Sequence, residues 1–158
     1  MKFRRMTAFL LVLCMMLSLS VSAFAAEKTP TGYLTWALDD SGTLTISGNG
    51  RIAAFTSADD QPWHEMRESI VSVKFDPGAH MIVPDVAYWF AGCINLKSCV
   101  LPSFVNIGAD AFKDCAKLTR LQLHYNDENF YISDSAFSGV DMSALEIVTC
   151  DEVTMGIL

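Results

Sequence analysis

Positive charge is scarce in this sequence. The 158 residues include 11 Lys and Arg against 18 Asp and Glu, a formal net charge of −7. Three of the cations, Lys2, Arg4 and Arg5, stand within the first five residues. Without the first 25 residues, eight basic side chains face eighteen acidic ones, a net of −10. A body of that sign repels phosphate backbones and anionic lipid, which argues against nucleic-acid and electrostatic membrane binding. Histidine is equally sparse. His64, His80 and His124 have no partner four residues on and no spaced acidic companion, so they do not read as a metal site. There is no Gly-x-Ser-x-Gly elbow, and Gly48-Asn49-Gly50 is a lone Gly-x-Gly turn rather than a phosphate cradle. The pairs Asp39-Asp40, Asp59-Asp60 and Asp127-Glu128 read as solvated turns before calcium ligands. No catalytic residue, cofactor or metal follows from these residues, and enzymatic activity is not expected. The length fits one domain.

Long apolar runs are confined to one place. Lys2, Arg4 and Arg5 precede an uncharged stretch over 6–26, apolar at its centre, with Ser18, Ser20 and Ser22 raising the polarity towards its end. Ala23-Phe24-Ala25 then offers small residues at the third and first positions before a cut at Ala26. These are the three parts of a cleavable secretory leader over 1–25. An uncleaved anchor is the competing reading, since about 20 apolar residues span a bilayer, but it has no use for the serines or the Ala-Phe-Ala site. Cys14 lies inside the apolar run behind the large Leu13, which is unsuited to lipidation. The expected product is secreted, or loosely associated with the cell surface.

What is abundant is repetition. Phe90-Ala-Gly-Cys93-Ile-Asn-Leu96 returns as Phe112-Lys-Asp-Cys115-Ala-Lys-Leu118, and more weakly at Phe137-Ser-Gly-Val140. Ile107-Gly-Ala-Asp-Ala111-Phe112 is echoed by Ile132-Ser-Asp-Ser-Ala136-Phe137. Short apolar alternations occupy 70–75, 96–101, 118–123 and 145–150, with apolar residues at the first, fourth and sixth positions of each. Alternation marks strands with one buried face, and a fixed recurrence of a strand and a turn marks a solenoid. One unit cannot bury its apolar side alone. Stacked at about 4.8 Å, successive units share a core behind a parallel sheet. Phe90, Phe112 and Phe137 should form an internal column from the opposite side, with Cys93, Cys115, Leu96 and Leu118 beside it.

The pattern Ile-Gly-x-x-Ala-Phe-x-x-Cys-x-x-Leu, best carried over 107–123 and supported by 93–102 with its Pro102, resembles the BspA-type (Treponema pallidum-type) leucine-rich repeat of secreted and surface bacterial proteins. The segment 34–50, with Trp36, Leu38, Leu44 and Ile46 alternating about Asp39-Asp40-Ser41-Gly42, resembles the hairpin cap before such repeats. Gln61-Pro-Trp63-His-Glu-Met-Arg-Glu-Ser-Ile70 is similar to the helical turn leading into the first strand. The resemblance spans about 33–150. It implies a mainly β leucine-rich-repeat solenoid with an irregular or one-turn helical convex side. Its parts are a cap over 26–69 (hairpin about 34–46, helical turn about 62–68), about three units and a final strand over 70–150, and a tail over 151–158. Trp89 departs from the pattern, standing where Ala111 and Ala136 sit later. It either fills space at the cap or presents an exposed aromatic to a ligand.

Cys93 and Cys115 share one phase of neighbouring units, while Cys99 and Cys150 replace inward strand residues; all read as small buried hydrophobes. Secretion would permit a Cys93–Cys115 disulfide, but parallel side-chain vectors work against the Cβ separation of about 3.8 Å that it prefers. No Cys-x-x-Cys pair suggests redox or zinc chemistry. The outward strand residues are expected to line one extended face, a common binding surface of solenoids. Its columns read Ser72, Ser98, Arg120, Ile147 and Lys74, Val100, Gln122, Thr149. This mixed face, free of stacked aromatics, suits an extracellular protein partner better than a glycan, with adhesion to host or bacterial surfaces as the expected role. The alternatives are a self-associating envelope component and an accessory or inhibitory subunit of a secreted enzyme. The last strand, 145–150, is followed by eight residues, so an uncovered edge invites a homodimer there. A truncated longer reading frame accounts for the same ending, and no wall-anchoring motif follows.

Overall fold

The computed structural model of the protein describes residues 23–29, 32–124 and 129–150. Most of the leader and the whole of the tail, 151–158, lie outside the described residues. Alternating apolar residues make β2 (Gly32–Leu38) and β3 (Thr43–Arg51). Leu34, Trp36, Leu38, Leu44 and Ile46 are all buried, so one face of the hairpin is committed to the core. Its turn is built locally. Asp39 Oδ1 accepts from Ser41 N and Thr43 N, both at 2.9 Å, and Gly42 takes φ +79°. Gly42 also has no room for a side chain, because a Cβ there would lie 2.6 Å from the Ser69 carbonyl oxygen. Its own carbonyl accepts Val71 N at 2.7 Å, which seats the first coil on the cap.

A strand that the sequence reading did not contain precedes the hairpin. β1 (Ala23–Thr29) pairs antiparallel with β2, from Ala23↔Leu38 to Thr29↔Gly32, making the cap three-stranded. From β3 onwards the sheet is parallel. β4 (Ser72–Phe75), β6 (Ser98–Val100), β7 (Arg120–His124) and β8 (Glu146–Cys150) follow in order, one strand per coil. β5 (His80–Ile82) also lay outside the periodic reading. β3 overshoots β4, and after the Asp76–Ala79 turn the chain returns to pair with the far end of β3 at Asn49–Arg51. The two together make a second side of the coil.

The helical turn before the first repeat is a 3-10 turn, His64–Ser69. Trp63 at its start is fully buried and donates its indole N–H to the Trp89 carbonyl at 3.0 Å. The convex side is held by its own backbone ladder: Phe90 N bonds the Ala111 carbonyl at 3.0 Å and Phe112 N the Ala136 carbonyl at 2.8 Å. Two isolated bridges, Asp85↔Asn106 and Ile107↔Ile132, add a third line of links between successive coils. Satisfying backbone groups between coils on every side lets short strands stack without long ones to anchor them.

The aromatic column lies inside this frame. Phe90 and Phe112 stack at 5.2 Å, and Phe112 and Phe137 at 5.4 Å. Trp63 extends the column into the cap, 6.2 Å from Phe90 and nearly parallel to it. Leu96, Leu118, Cys93 and Cys115 are buried around it. Trp89 is completely buried, which overturns the exposed-ligand alternative. It stacks on Phe55 at 5.2 Å and Phe75 at 6.0 Å and meets Trp63 edge-on. An alanine there would leave a gap between cap and first coil; later coils, packed on copies of themselves, have no such gap.

Candidate outward-face site

Parallel pairing sets which side chains share a face of the sheet. Thr43 pairs with Ser72, Ser72 with Ser98, Ser98 with Arg120, and Arg120 with Glu146. Because Leu44, Val73, Cys99 and Leu121 between them are buried, this column faces outward. A second outward column contains Thr45 beside Lys74, then Val100 beside Gln122 beside Val148.

The final strand departs from the expected columns. Ile147 pairs with Leu121 and Thr149 with Leu123, so both belong to inward columns, and Glu146 and Val148 take the outward places. The cause lies upstream. Leu96 and Leu118 follow their phenylalanines by six residues, but Leu145 follows Phe137 by eight. The Asp141–Ala144 turn absorbs part of that excess, with Asp141 Oδ1 accepting from Ser143 N at 3.0 Å and from its hydroxyl at 2.6 Å. Glu146 N then bonds the Thr119 carbonyl at 2.9 Å, which sets the strand one residue away from a count begun at Leu145. A one-residue slip exchanges the two faces. Ile147 remains 43% exposed although it lies in an inward column, because β8 is the last strand of the sheet among the described residues.

The face is rich in hydroxyls and poor in unpaired charge. Ser72 Oγ donates to Thr43 Oγ1 at 3.1 Å, and Thr43 Oγ1 lies 2.9 Å from Ser41 Oγ. Ser47 Oγ donates to Asp76 Oδ2 at 3.1 Å. Arg120 and Glu146 form an ion pair at 2.6 Å. Asp39, at the cap end of the face, has its carboxyl held below the ordinary range, first by the Ser41 hydroxyl and then by the Thr43 amide, with a smaller contribution from the Lys74 charge. The cap residues Thr43 and Thr45 thus lengthen the face beyond the repeats. Alternation with Leu44 and Ile46 already implied their direction, but only the β3–β4 register shows that the columns are continuous.

The turn side carries a shallow depression of about 400 Å³ bordered by Thr56, Ala58, Arg67, Tyr88, Gly92 and Lys113. Lys113 Nζ is bonded to Asp110 at 3.1 Å, which raises the amine's pKa, and Arg67 Nη1 lies 3.3 Å from His64 Nδ1. These are structural pairings on a solvated wall. Cys93, Cys99 and Cys115 are free and buried. Burial pushes the Cys93 thiol up to about 12, and the Cys99 and Cys115 thiols upward as well. Cys115 Sγ donates to the Phe90 carbonyl at 3.1 Å. Such thiols are packing groups, since nucleophilicity and metal binding need the thiolate. Among the described residues no group of His, Cys, Asp or Glu is placed to hold a metal ion, and no helix is long and apolar enough to cross a membrane.

Comparison with known proteins agrees with this architecture. Residues 85–155 match the family model described as BspA type Leucine rich repeat region (6 copies). The crystal structure of a leucine-rich repeat protein from Eubacterium ventriosum, at 2.50 Å resolution, is similar, with a TM-score of 0.54 and 29% identity. The match covers 75% of this chain and 30% of that one, so the chain spans less than a third of the length of that relative. No curated protein matches the sequence. The fold is of a kind that is typically non-enzymatic and serves protein–protein interaction.

Proposed function

We propose, starting from a chain whose residues 85–155 match the model of the BspA-type leucine-rich repeat region, that the protein is secreted and binds an extracellular protein through its outward sheet face. The observation that carries this reading is the unbroken column Thr43–Ser72–Ser98–Arg120–Glu146, which joins cap and repeats into one surface. Short hydroxyl side chains on a regular ladder present donors and acceptors at little entropic cost. Among the described residues the outward face offers no stacked aromatic platform for a sugar ring, which favours a protein partner. Adhesion to a host or bacterial surface is the role that a released protein with such a face would serve.

The test is binding of the purified protein to a panel of extracellular matrix and bacterial surface proteins, with wild type beside an Arg120→Glu/Gln122→Lys double variant. A ligand whose affinity falls about tenfold or more in the variant, roughly 1.4 kcal/mol, supports the face as the site. Undiminished affinity would place the site elsewhere.

A second reading rests on the exposure of Ile147 at the last strand of the sheet. Edge pairing there would make a homodimer and favour a self-associating envelope component. Light scattering behind size exclusion distinguishes the two, since a monomer at tens of micromolar removes the dimer.

A further inference from the structure

We infer that removal of the leader leaves a strand-accepting edge on the cap, and that this edge takes an extended peptide ending in a free carboxylate; the inference rests on the secretion reading above. The bond expected to be cut, Ala25–Ala26, lies inside β1 rather than ahead of it. Ala25 pairs with Trp36 and Ala26 with Thr35. Peptidases bind their substrates as extended, unpaired chains, so a strand already hydrogen-bonded into a sheet is not available to them. Cutting and closure of the β1–β2 ladder therefore exclude one another, and the cut comes first.

The chemistry of the cut defines the edge. The export pathway's leader peptidase adds water across the amide, leaving a carboxylate on Ala25 and an ammonium on Ala26. Ala26, Glu27, Lys28 and Thr29 keep their partners from Thr35 to Gly32. Trp36, Ala37 and Leu38 lose theirs, Ala25, Phe24 and Ala23. The groups of β2 that faced those residues become an open row of backbone donors and acceptors, a template for another strand.

The occupant is specified by what lies there before the cut: an antiparallel tripeptide, Ala-Phe-Ala, whose carboxyl end meets residue 26. A guest in the same place runs into the new α-ammonium of Ala26. A chain that stops there brings a carboxylate to that charge, and a chain that continues must displace β1 or turn away. The edge therefore selects the C-terminal end of an extended peptide, with backbone pairing for affinity and the terminal charge for orientation.

Intact mass of the exported protein decides the underlying reading first: a chain starting at Ala26 is expected, and retention of the leader overturns secretion by cleavage. Hydrogen exchange of the Ala26-start protein then tests the edge, using the hexapeptide Ser-Val-Ser-Ala-Phe-Ala of residues 20–25 as free acid and as carboxamide at millimolar concentration. The acid is expected to slow exchange within Trp36–Leu38, and the amide to bind about twofold to fivefold more weakly, the worth of one exposed ion pair. Absence of protection by either form, or equal protection by both, overturns the proposal even if the mature chain starts at Ala26.

Discussion

Asp85 and Tyr131, 46 residues apart, are hydrogen-bonded phenol to carboxylate across the coil that lies between them. They meet over Gly108, where a Cβ would lie 2.2 Å from Asp85 Oδ1. The other carboxylate oxygen of Asp85 accepts the Ala87 N–H at 2.7 Å, and Asn106 Oδ1 accepts Tyr131 N at 3.1 Å. Three coils are thereby tied at one point, and the middle one contributes an absent side chain.

Gly108→Ala should therefore cost about 1–3 kcal/mol through overpacking against the Asp85 carboxylate. Tyr131→Phe, on a half-exposed ring, should cost only about 0.5–1 kcal/mol. If the two act through the same contact, the double variant will be less destabilised than the sum of the single variants in urea denaturation. Full additivity would show that Gly108 matters for another reason.

Phe112 is the middle ring of the column, stacked on both Phe90 and Phe137. Phe112→Ala should destabilise the protein by about 3–5 kcal/mol, transfer and cavity terms together. A thermal midpoint lowered by only a degree or two would contradict a continuous core.

The register of β8 is testable through Arg120. A double-mutant cycle between Arg120 and Glu146, 2.6 Å apart, should give a coupling of about 0.3–1 kcal/mol that fades with added salt. The same cycle between Arg120 and Ile147 should give none. Coupling to Ile147 would return the final strand to the alternative facing.

Stability should fall at both ends of the pH range, for opposite reasons. Asp39, Asp60 and Asp141 have carboxyls held below their ordinary range, chiefly by hydroxyls of Ser41, Thr56 and Ser143. A lowered native pKa contributes stability above the unfolded value of about 3.9, and that contribution is lost as pH falls through the native value. The Tyr131 phenol is shifted upward, first by its hydrogen bond to Asp85. Its contribution is complete below the unfolded value of about 10 and disappears as pH rises through the native one. Denaturation midpoints followed over pH should show acid loss reduced in Asp39→Asn and alkaline loss reduced in Tyr131→Phe. Unchanged slopes in both variants would remove these groups from the balance.

The inward residues were legible because burial imposes a period. Leu96, Leu118 and their phenylalanines recur at one spacing, and a coil that must hide one side leaves that mark in any sequence. Trp89 was legible only as an anomaly. Whether it filled a gap or faced water depended on Phe55 and Phe75, which no local pattern connects to it. The strip was legible as far as Gln122 and failed at Ile147 and Thr149, where the Asp141–Ala144 turn changed the count.

The amino-acid sequence alone determined that this chain winds into stacked coils behind a hairpin cap, with acidic pairs between its apolar runs. Repetition and alternation are local properties, and hydrophobic burial reads them directly. The tertiary structure decided the facing of the last strand, the addition of β1 across the Ala25–Ala26 bond, the use of β5 to lengthen β3, and the Asp85–Tyr131 tie over Gly108. Each depends on hydrogen bonds between separate segments, from the β1–β2 pairs, at most 15 positions apart at Ala23↔Leu38, to the 46 positions between Asp85 and Tyr131, and pairing of that kind leaves no period in the chain.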